Sequence, residues 1–500
     1  MKKFTDYNEY LNISKNVKQI VILSLNNLKD EKKLFTVLCS IAHHLILDLY
    51  KLSKSSFELN LVKKKLLNKE TLPTSEIFMF LSEKNPKNCD FNNFGDNSIY
   101  TKNDKNYFLL VKKYLRFIQT RFNLKYGRSN YFLHNQSYLL NSLFKKSTKF
   151  ILLRPEQWPK YKINKSEVEI IYFLIFNKFK KFLEDLNIDK RICQKAEYLL
   201  KYLINPKIIY SLSFYNVCES VDFKNVKNKF IVGGAPQIFG KILNYFFRKN
   251  GGKVRRFAHG GDRVFFSDYF WGISELPFCD EYYVHSRAEK FFLEKKLKTN
   301  IIYNFNKSSC IIKTSGSPRH QQILFDSNKQ KKKKILFIPG AILGEEHQAL
   351  PEFKVSDYLM VEYHTWILKK INSFGFDLSV KVHPFGVNKS KYLNKICNNI
   401  ITTKFDILLN TSSVLIFDFA GSAFFDALAS NKGIVLLNTG VRPFFLDAYK
   451  DLEKRCNIVD SYFDEKNRIR FNTNDLRLAI SKAFKFSNVK NDFAKKYFFK

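Results

Sequence analysis

From about residue 206 onward, short apolar runs recur along the chain, each stopping at a glycine, histidine, proline or aspartate and each followed by a helical stretch. Strands that alternate with helices can pair only through crossover connections, so this stretch is constrained to parallel βαβ units. Phe230-Ile-Val-Gly-Gly, Lys253 to Ala258, Tyr282-Tyr-Val-His and Ile311-Ile-Lys-Thr read as four strands, with helices over 236–249 and 286–296. The charged run Asp326-Ser-Asn-Lys-Gln-Lys-Lys-Lys-Lys-Ile335 is a linker candidate, and the pattern then restarts. Ile335-Leu-Phe-Ile-Pro-Gly, Asp377 to Val382, Ile407-Leu-Leu, Val414-Leu-Ile-Phe and Ile434-Val-Leu-Leu read as strands, with a helix over 358–374 and helix again from about Asn472.

The first 205 residues show helical periodicity instead, as in Leu34-Phe-Thr-Val-Leu-Cys-Ser-Ile-Ala-His-His-Leu-Ile-Leu-Asp-Leu-Tyr50, interrupted by a polar loop over 83–105. The expected organisation is a mostly helical region over 1–205, an N-terminal Rossmann-like domain over 206–326, a C-terminal Rossmann-like domain over 327–465 and a helical tail over 466–500. With 45% hydrophobic residues and 51 Phe, the 500-residue chain has ample apolar surface for such cores.

Charge narrows the partners. Lys and Arg number 84 against 46 Asp and Glu, leaving a formal +38. The lysines are scattered among abundant Asn, Ile and Phe, a pattern of compositional drift that leaves an anion-friendly surface. No arginine-rich block, zinc-finger spacing or RNA-binding aromatic signature is present, so nucleic acid is not the expected partner. The eight cysteines are far apart with no Cys-x-x-Cys, as for reduced thiols in a cytosolic protein. The polar first residues lack the apolar core of a signal peptide. The apolar stretches 35–50 and 168–176 are too short or too interrupted to span a bilayer. The expectation is a cytoplasmic protein, soluble or peripheral on an anionic inner membrane face.

In parallel α/β sheets, ligands gather beyond the carboxyl ends of strands. Four motifs stand at such places: His259-Gly260-Gly261, Gly316-Ser317-Pro318-Arg319, Lys381-Val382-His383-Pro384, and Asp418-Phe-Ala-Gly421-Ser422. Gly421-Ser422 opens a helix directly after a strand, where free N–H groups favour phosphate, although Ser422 also suits simple capping. Lys381 and His383, two apart, are expected on one side of their strand, suited to a diphosphate. His259, with Asp262, Arg263 and Asp268 nearby, suits a general base whose imidazole a carboxylate orients. Arg319 is a candidate oxyanion clamp.

Other features are set aside. Gly233 to Lys241 has the wrong glycine spacing for a phosphate-binding P-loop. His43-His44 lies in an amphipathic helix and reads as structural, and Glu345-Glu346-His347 lacks a spaced second metal ligand. No Asp-x-Asp and no Gly-x-Ser-x-Gly occurs. Neither cofactor nor metal is expected.

Taken in order, the motifs resemble those of GT-B-type transferases of bacterial surface polysaccharides (capsule and lipopolysaccharide), especially the CDP-glycerol glycerophosphotransferase-like group. The counterparts here are His259-Gly260, Gly316 to Arg319, Lys381 to Pro384, Asp418 to Asp426, and Asn431-Lys432-Gly433, within residues 230–440. Where that group has Trp before His-Gly and Thr-Pro after it, this chain has Ala258 and Gly261-Asp262. The turn before Phe424-Phe425-Asp426 is one residue longer. Both departures favour a sugar donor.

The resemblance implies a GT-B-like fold and a metal-independent glycosyltransferase. It would move a sugar from a nucleotide-activated donor to a surface polysaccharide or lipid-linked glycan acceptor. His259 would be the catalytic base assisted by Asp262 or Asp268. Lys381, His383, Gly421 and Ser422 would hold the leaving diphosphate and Arg319 the donor or acceptor. Ser412 and Ser413, with Thr411, Glu362 or His364, would contact the nucleoside. Two other readings stand beside it: polyol-phosphate transfer from a CDP-alcohol, and a non-catalytic polyanion-binding scaffold. The lysine- and phenylalanine-rich tail over 484–500 reads either as a membrane-dipping segment or as a helix returning to the first domain.

Overall fold

A computed structural model describes residues 7–64, 76–82, 107–134, 137, 139–145, 147–154, 158, 161–234, 237–258, 260–267, 270–297, 310–326, 334–340, 357–383, 391–397, 399–409, 411–440, 443–465, 468–486 and 492–499. The loop expected at 83–105, most of the linker before Ile335, and Glu345 to His347 lie outside them.

The first half opens with helices α1 (Tyr7–Asn27), α2 (Lys32–Lys63) and α3 (Tyr107–Tyr126), then strands β1 (Tyr131–Leu133) and β2 (Ile151–Leu152). Helices α4 (Lys165–Asp185) and α5 (Lys190–Glu219) follow, then β3 (Phe230–Gly233), α6 (Ile238–Lys249), β4 (Lys253–Phe257), β5 (Glu281–Val284), α7 (Arg287–Leu297), β6 (Ile311–Thr314) and α8 (Pro318–Asp326). The second half runs β7 (Lys334–Ile338), α9 (Asp357–Ser373), β8 (Asp377–Lys381), β9 (Ile400–Ile401), β10 (Val414–Phe417), α10 (Ser422–Leu428), β11 (Gly433–Asn438), α11 (Leu446–Arg455), β12 (Asn457–Phe463), β13 (Ile469–Phe471), α12 (Thr473–Lys485) and α13 (Asp492–Phe498). A few short helices complete it, among them Glu76–Ser82 and Phe270–Glu275.

Strand order is β2-β1-β3-β4-β5-β6 in the first sheet and β13-β12-β11-β10-β7-β8-β9 in the second. Every pairing is parallel except β12 with β13. The central strands read as unbroken apolar runs because helices cover both their faces; Val414 to Phe417 are all buried. Two Rossmann-like sheets, with α13 returning from the end of the chain to α7 and α8 of the first half, make the fold GT-B-like.

Four expectations are corrected. The first 205 residues are not a separate helical region. They supply β1 and β2 to the first sheet, and their helices share one continuous apolar core with it. Nor does the chain break at 205: α5 runs through Pro206, its apolar face packed on α2. Burial of that face outweighs the one hydrogen bond a mid-helix proline removes. The boundary at 465 likewise cuts the second sheet, since Ser461 pairs with Phe471 across the hairpin. Residues 405–408 are a helical turn where Ile407 was expected in a strand. Leu408 and Leu409 are buried and Phe405 packs beside them, while Ile407 is 61% exposed; that is the burial period of a helix.

Helix α2, at 32 residues, is long and apolar enough to cross a bilayer, yet it is mostly buried against α1, α4 to α6, the short helix Glu76–Ser82 and the first sheet's core. Polar groups tie it there: Lys207 Nζ on α5 pairs with Asp48 at 2.7 Å, and the buried Lys241 on α6 donates to the Ser40 carbonyl at 3.3 Å. The seven described cysteines are all buried and unbridged.

Two histidines, the buried His134 and the half-buried His44, give this body a pH dependence. Burial, reinforced by neighbouring cations, depresses His44 and His134 from 6.5 to about 3. In the unfolded chain these imidazoles bind protons near pH 6.5, whereas in the fold they stay neutral. The unfolded state therefore takes up more protons across that window, and stability falls as pH drops through it. Each histidine should remove about 1.4 kcal/mol per pH unit below about pH 6.5. Urea unfolding midpoints measured between pH 5 and pH 7 check this; a flat profile would refute it.

Candidate functional site

The second sheet fixes where a ligand fits. After β7 the chain adds β8 and β9 on one side, then crosses to place β10, β11 and β12 on the other. The order therefore reverses between β7 and β10, and the crevice beyond their carboxyl ends is the place such a sheet offers a ligand. Gly340 follows β7 there and Asp418 follows β10. The Gly340 N–H donates to Asp418 Oδ1 at 2.5 Å, and a Cβ on Gly340 would lie 3.2 Å from Phe419 Cβ. The second carboxylate oxygen bonds His364 Nε2 at 2.7 Å, and His364 Nδ1 bonds the Tyr392 hydroxyl at 2.6 Å. This buried chain from α9 through β10 fixes the floor of the crevice.

Helix α10 starts on its rim. Gly421 is its N-cap with extended backbone and no side-chain cap, and Ser422 is exposed. The N–H groups of a helix's first turn have no intrahelical acceptor, so they point from this end. At the other end the fully buried Arg455 donates to the carbonyls of Leu428 at 3.1 Å, Ser430 at 2.6 Å and Lys432 at 3.3 Å. The carbonyl end is neutralised and the amide end left to face the crevice.

Beyond β8, Lys381 and His383 part company. Lys381 is 5% exposed and turns its ammonium to the Val382 carbonyl at 2.7 Å, while His383 stands exposed just past the strand end. The alternation expected of an extended strand stops because β8 ends at Lys381. Burial lowers the pKa of Lys381; crowding by the protein, and then Lys381 itself, lowers that of His383. His383 is therefore a neutral N–H donor at neutral pH.

The first half reaches this rim through the loop after β4. A Cβ on Gly261 would fall 1.8 Å from the ring of Phe425 on α10, so only glycine fits. Phe265 and Phe266 then enter the second half's core, where the Ser267 N–H donates to Pro443 O at 2.9 Å and the Phe445 N–H to Phe265 O at 2.7 Å. Around Phe425 gather His285, His320 and Phe498, with ring centroids 5.1, 5.1 and 4.7 Å away. His320 also stacks on Phe498 and bonds Asp426 Oδ1 at 2.7 Å. Burial lowers the His320 pKa, so the neutral ring donates Nε2–H to Asp426 and accepts the Ser317 hydroxyl at Nδ1. His259 and Asp268 lie outside the described residues, and Asp262 falls in the described turn Gly261–Val264.

Some expected ligand groups are placed elsewhere. Ser412 and Ser413 precede β10, at the opposite end of the strand from the crevice. Ser412 is fully buried, and Ser413's N–H donates to Lys334 O, at the start of β7. They are corrected from nucleoside contacts to strand-entry residues, because ligands in such sheets bind at the carboxyl ends. Glu362 is committed to Arg470, which donates to Oε2 at 2.9 Å and Oε1 at 2.5 Å. Arg319 sits in the first turn of α8 after Gly316, whose φ of 72° suits glycine. Its guanidinium bridges Asp426 at 2.7 Å and Asp406 at 2.6 Å, so it clamps the two halves. The tail likewise folds back: Phe493, Tyr497 and Phe498 are buried in the seam, the returning-helix reading rather than the membrane-dipping one.

Sequence reasoning missed Arg256. Fully buried on β4, it donates to the carbonyls of His134 at 3.0 Å and Gly234 at 3.4 Å, and also to Asn244 Oδ1. Those two carbonyls follow β1 and β3, the switch point of the first sheet, so a guanidinium fills the crevice there. Its only signal was an Arg255-Arg256 pair inside an apolar strand.

No family model and no curated protein matches this chain. Among solved structures it is similar to Phytolacca americana UGT2 complexed with UDP-2fluoro-glucose and pterostilbene, at 9% identity over 76% of this chain and 90% of that one, with a TM-score of 0.32. It is also similar to apo UGT2 of the same plant, at 10% identity over 78% and 91%, with a TM-score of 0.31. The GT-B-like architecture rests on strand order and register.

The Gly261–Phe425 contact is testable by stability alone. Gly261→Ala should cost about 1–3 kcal/mol through overpacking. Phe425→Leu, which removes the ring atoms that clash, should make the double variant less destabilised than the sum of the singles by at least about 0.5 kcal/mol. Denaturation midpoints of the four proteins decide it; strict additivity would mean the two residues do not meet.

Proposed function

We propose that this chain is a glycosyltransferase that moves a sugar from a nucleotide-activated donor to a glycan or lipid-linked glycan of a bacterial surface polysaccharide. The observation that carries the reading is the placement of an open helix start, Gly421-Ser422, at the switch point of the second sheet, with Gly261 of the loop after β4 packed against the same helix. The first supplies N–H groups to a diphosphate. The second is a contact from the other half, and the general-base candidate His259 precedes Gly261 by two residues in sequence.

In the proposed step an acceptor hydroxyl attacks the donor's anomeric carbon. The bond from that carbon to the phosphate oxygen breaks, and the nucleoside diphosphate leaves with the electron pair. His259 takes the hydroxyl proton, with Asp262 or Asp268 orienting it. Charge growing on the leaving oxygen meets the α10 amides and the His383 N–H, with Lys381 adding its field from behind the strand end. Positive charge supplied this way makes added divalent cation unnecessary.

The test is a thermal-shift screen against CMP, CDP, UDP, GDP and ADP without added metal, since a ligand bound only by the folded state raises the midpoint. One nucleotide should stabilise selectively, and His383→Ala should weaken its Kd about tenfold or more, the loss of one charge-assisted hydrogen bond. His259→Ala should keep the nucleotide and abolish turnover. Release of CMP from a CDP-alcohol would instead support polyol-phosphate transfer. Stabilisation by polyphosphate or nucleic acid alone would refute catalysis.

A further inference from the structure

Helix α3 carries apolar residues on two faces. Phe117, Thr120 and Leu124 are buried, with Phe117 against Trp158. At 100° per residue, the positions on the opposite side are Val111, Leu115, Ile118, Phe122 and Tyr126, with Tyr114 flanking them, and all six are exposed, Leu115 to 60% and Phe122 to 61%. Their spacing of three and four residues makes one unbroken stripe along the helix's outer face. A stripe that the fold leaves in water this way marks an interaction surface.

Charge selects the partner. Residues 107–126 contain Lys112, Lys113, Arg116, Arg121 and Lys125 and no acidic residue. By the same geometry Lys112 borders the stripe on one side and Arg121, which also donates to the Ser220 carbonyl at 3.3 Å, on the other, while Lys125 lies at its C-terminal end, 4.0 Å from Asp222. A second copy of this face would set like charges against each other. An anionic lipid surface instead takes the aromatic and aliphatic side chains at its headgroup boundary and the flanking cations at its phosphates.

We propose that α3 is a membrane-docking helix that lies in the plane of an anionic bilayer, with Leu115, Ile118 and Phe122 inserted and the flanking Lys112 and Arg121 on headgroup phosphates. The inference is independent of the transferase reading, and nucleotide-induced thermal shift reports on that reading separately.

The full-length protein is tested by co-sedimentation with vesicles of phosphatidylcholine alone and of phosphatidylcholine with phosphatidylglycerol. Binding is expected only to the second. Leu115→Ser with Phe122→Ser should weaken it at least about tenfold, in line with the apolar area withdrawn. Lys112→Glu should weaken it about fivefold or more, the worth of one cation near such a surface. All of these positions are exposed, so unfolding midpoints and nucleotide shifts should stay at wild-type values. Ile170→Ser with Phe173→Ser, exposed on α4, should leave binding unchanged. Retained vesicle binding in the Leu115/Phe122 variant would overturn the proposal, because the overall charge would then suffice. So would equal binding to neutral vesicles, or a change of oligomeric state in that variant without lipid.

Discussion

The ring of Phe425 lies against the bare backbone of Gly261, and the relation between the two halves depends on that contact. It sets how far the loop after β4 can advance onto α10, and so where the chain beyond His259 meets the second sheet. Everything around it is arranged to keep the ring still. His285 and His320 present edges to it, Phe498 closes its far side, and Asp426 one residue on anchors both His320 and Arg319. Helix α13 contributes Phe498, Tyr497 and Phe493, so the last turn of the chain completes the wall of a site built some seventy residues earlier.

The two sheets use the same topological opportunity in opposite ways. Each reverses strand order beside its first strand, and each therefore has a crevice at the carboxyl ends there. In the first sheet Arg256 crosses from β4 and satisfies the carbonyls after β1 and β3, which fills the space with a cation that no other described group neutralises. In the second, Gly340 keeps the corresponding place free of a side chain, and Asp418 ties the two strand ends together through a main-chain N–H. The asymmetry fills the first crevice with a side chain and leaves the second open beside the start of α10.

Much of this was legible in the sequence. Strands β3 to β8, β10 and β11 are apolar runs bounded by glycine or polar residues, and a strand buried on both faces has no other way to appear. Strands β1 and β2 were not legible, because runs of three and two residues carry no period and draw their stability from neighbours distant in sequence. Ile407-Leu-Leu was misread because three apolar residues fit either period, and only the burial of Phe405, Leu408 and Leu409 against the seam separates them. Gly316 to Arg319, Lys381-Val382 and Asp418 to Ser422 stand at strand ends as expected, whereas Ser412-Ser413 precede a strand. A serine pair beside a strand does not announce which end it occupies. Arg319 was legible as an oxyanion clamp, and it does clamp carboxylates, but they belong to Asp406 and Asp426 of this same chain.

That last point bears on how a charge of +38 is to be read. Arg256 and Arg455 are both fully buried, and burial lowers the pKa of each to about 10. Their donors go mostly to main-chain carbonyls, at a pair of strand ends in one case and a helix end in the other. Arg319 and Arg470 face carboxylates from distant segments. These guanidiniums are structural, each meeting several oxygens with a planar fork that lysine lacks. The cations that remain for partners are mostly exposed lysines, which the sequence scatters without pattern. They become a surface of stated chemistry only where the fold lines them up beside apolar side chains, and α3 does so because its inner face is already spent on the core.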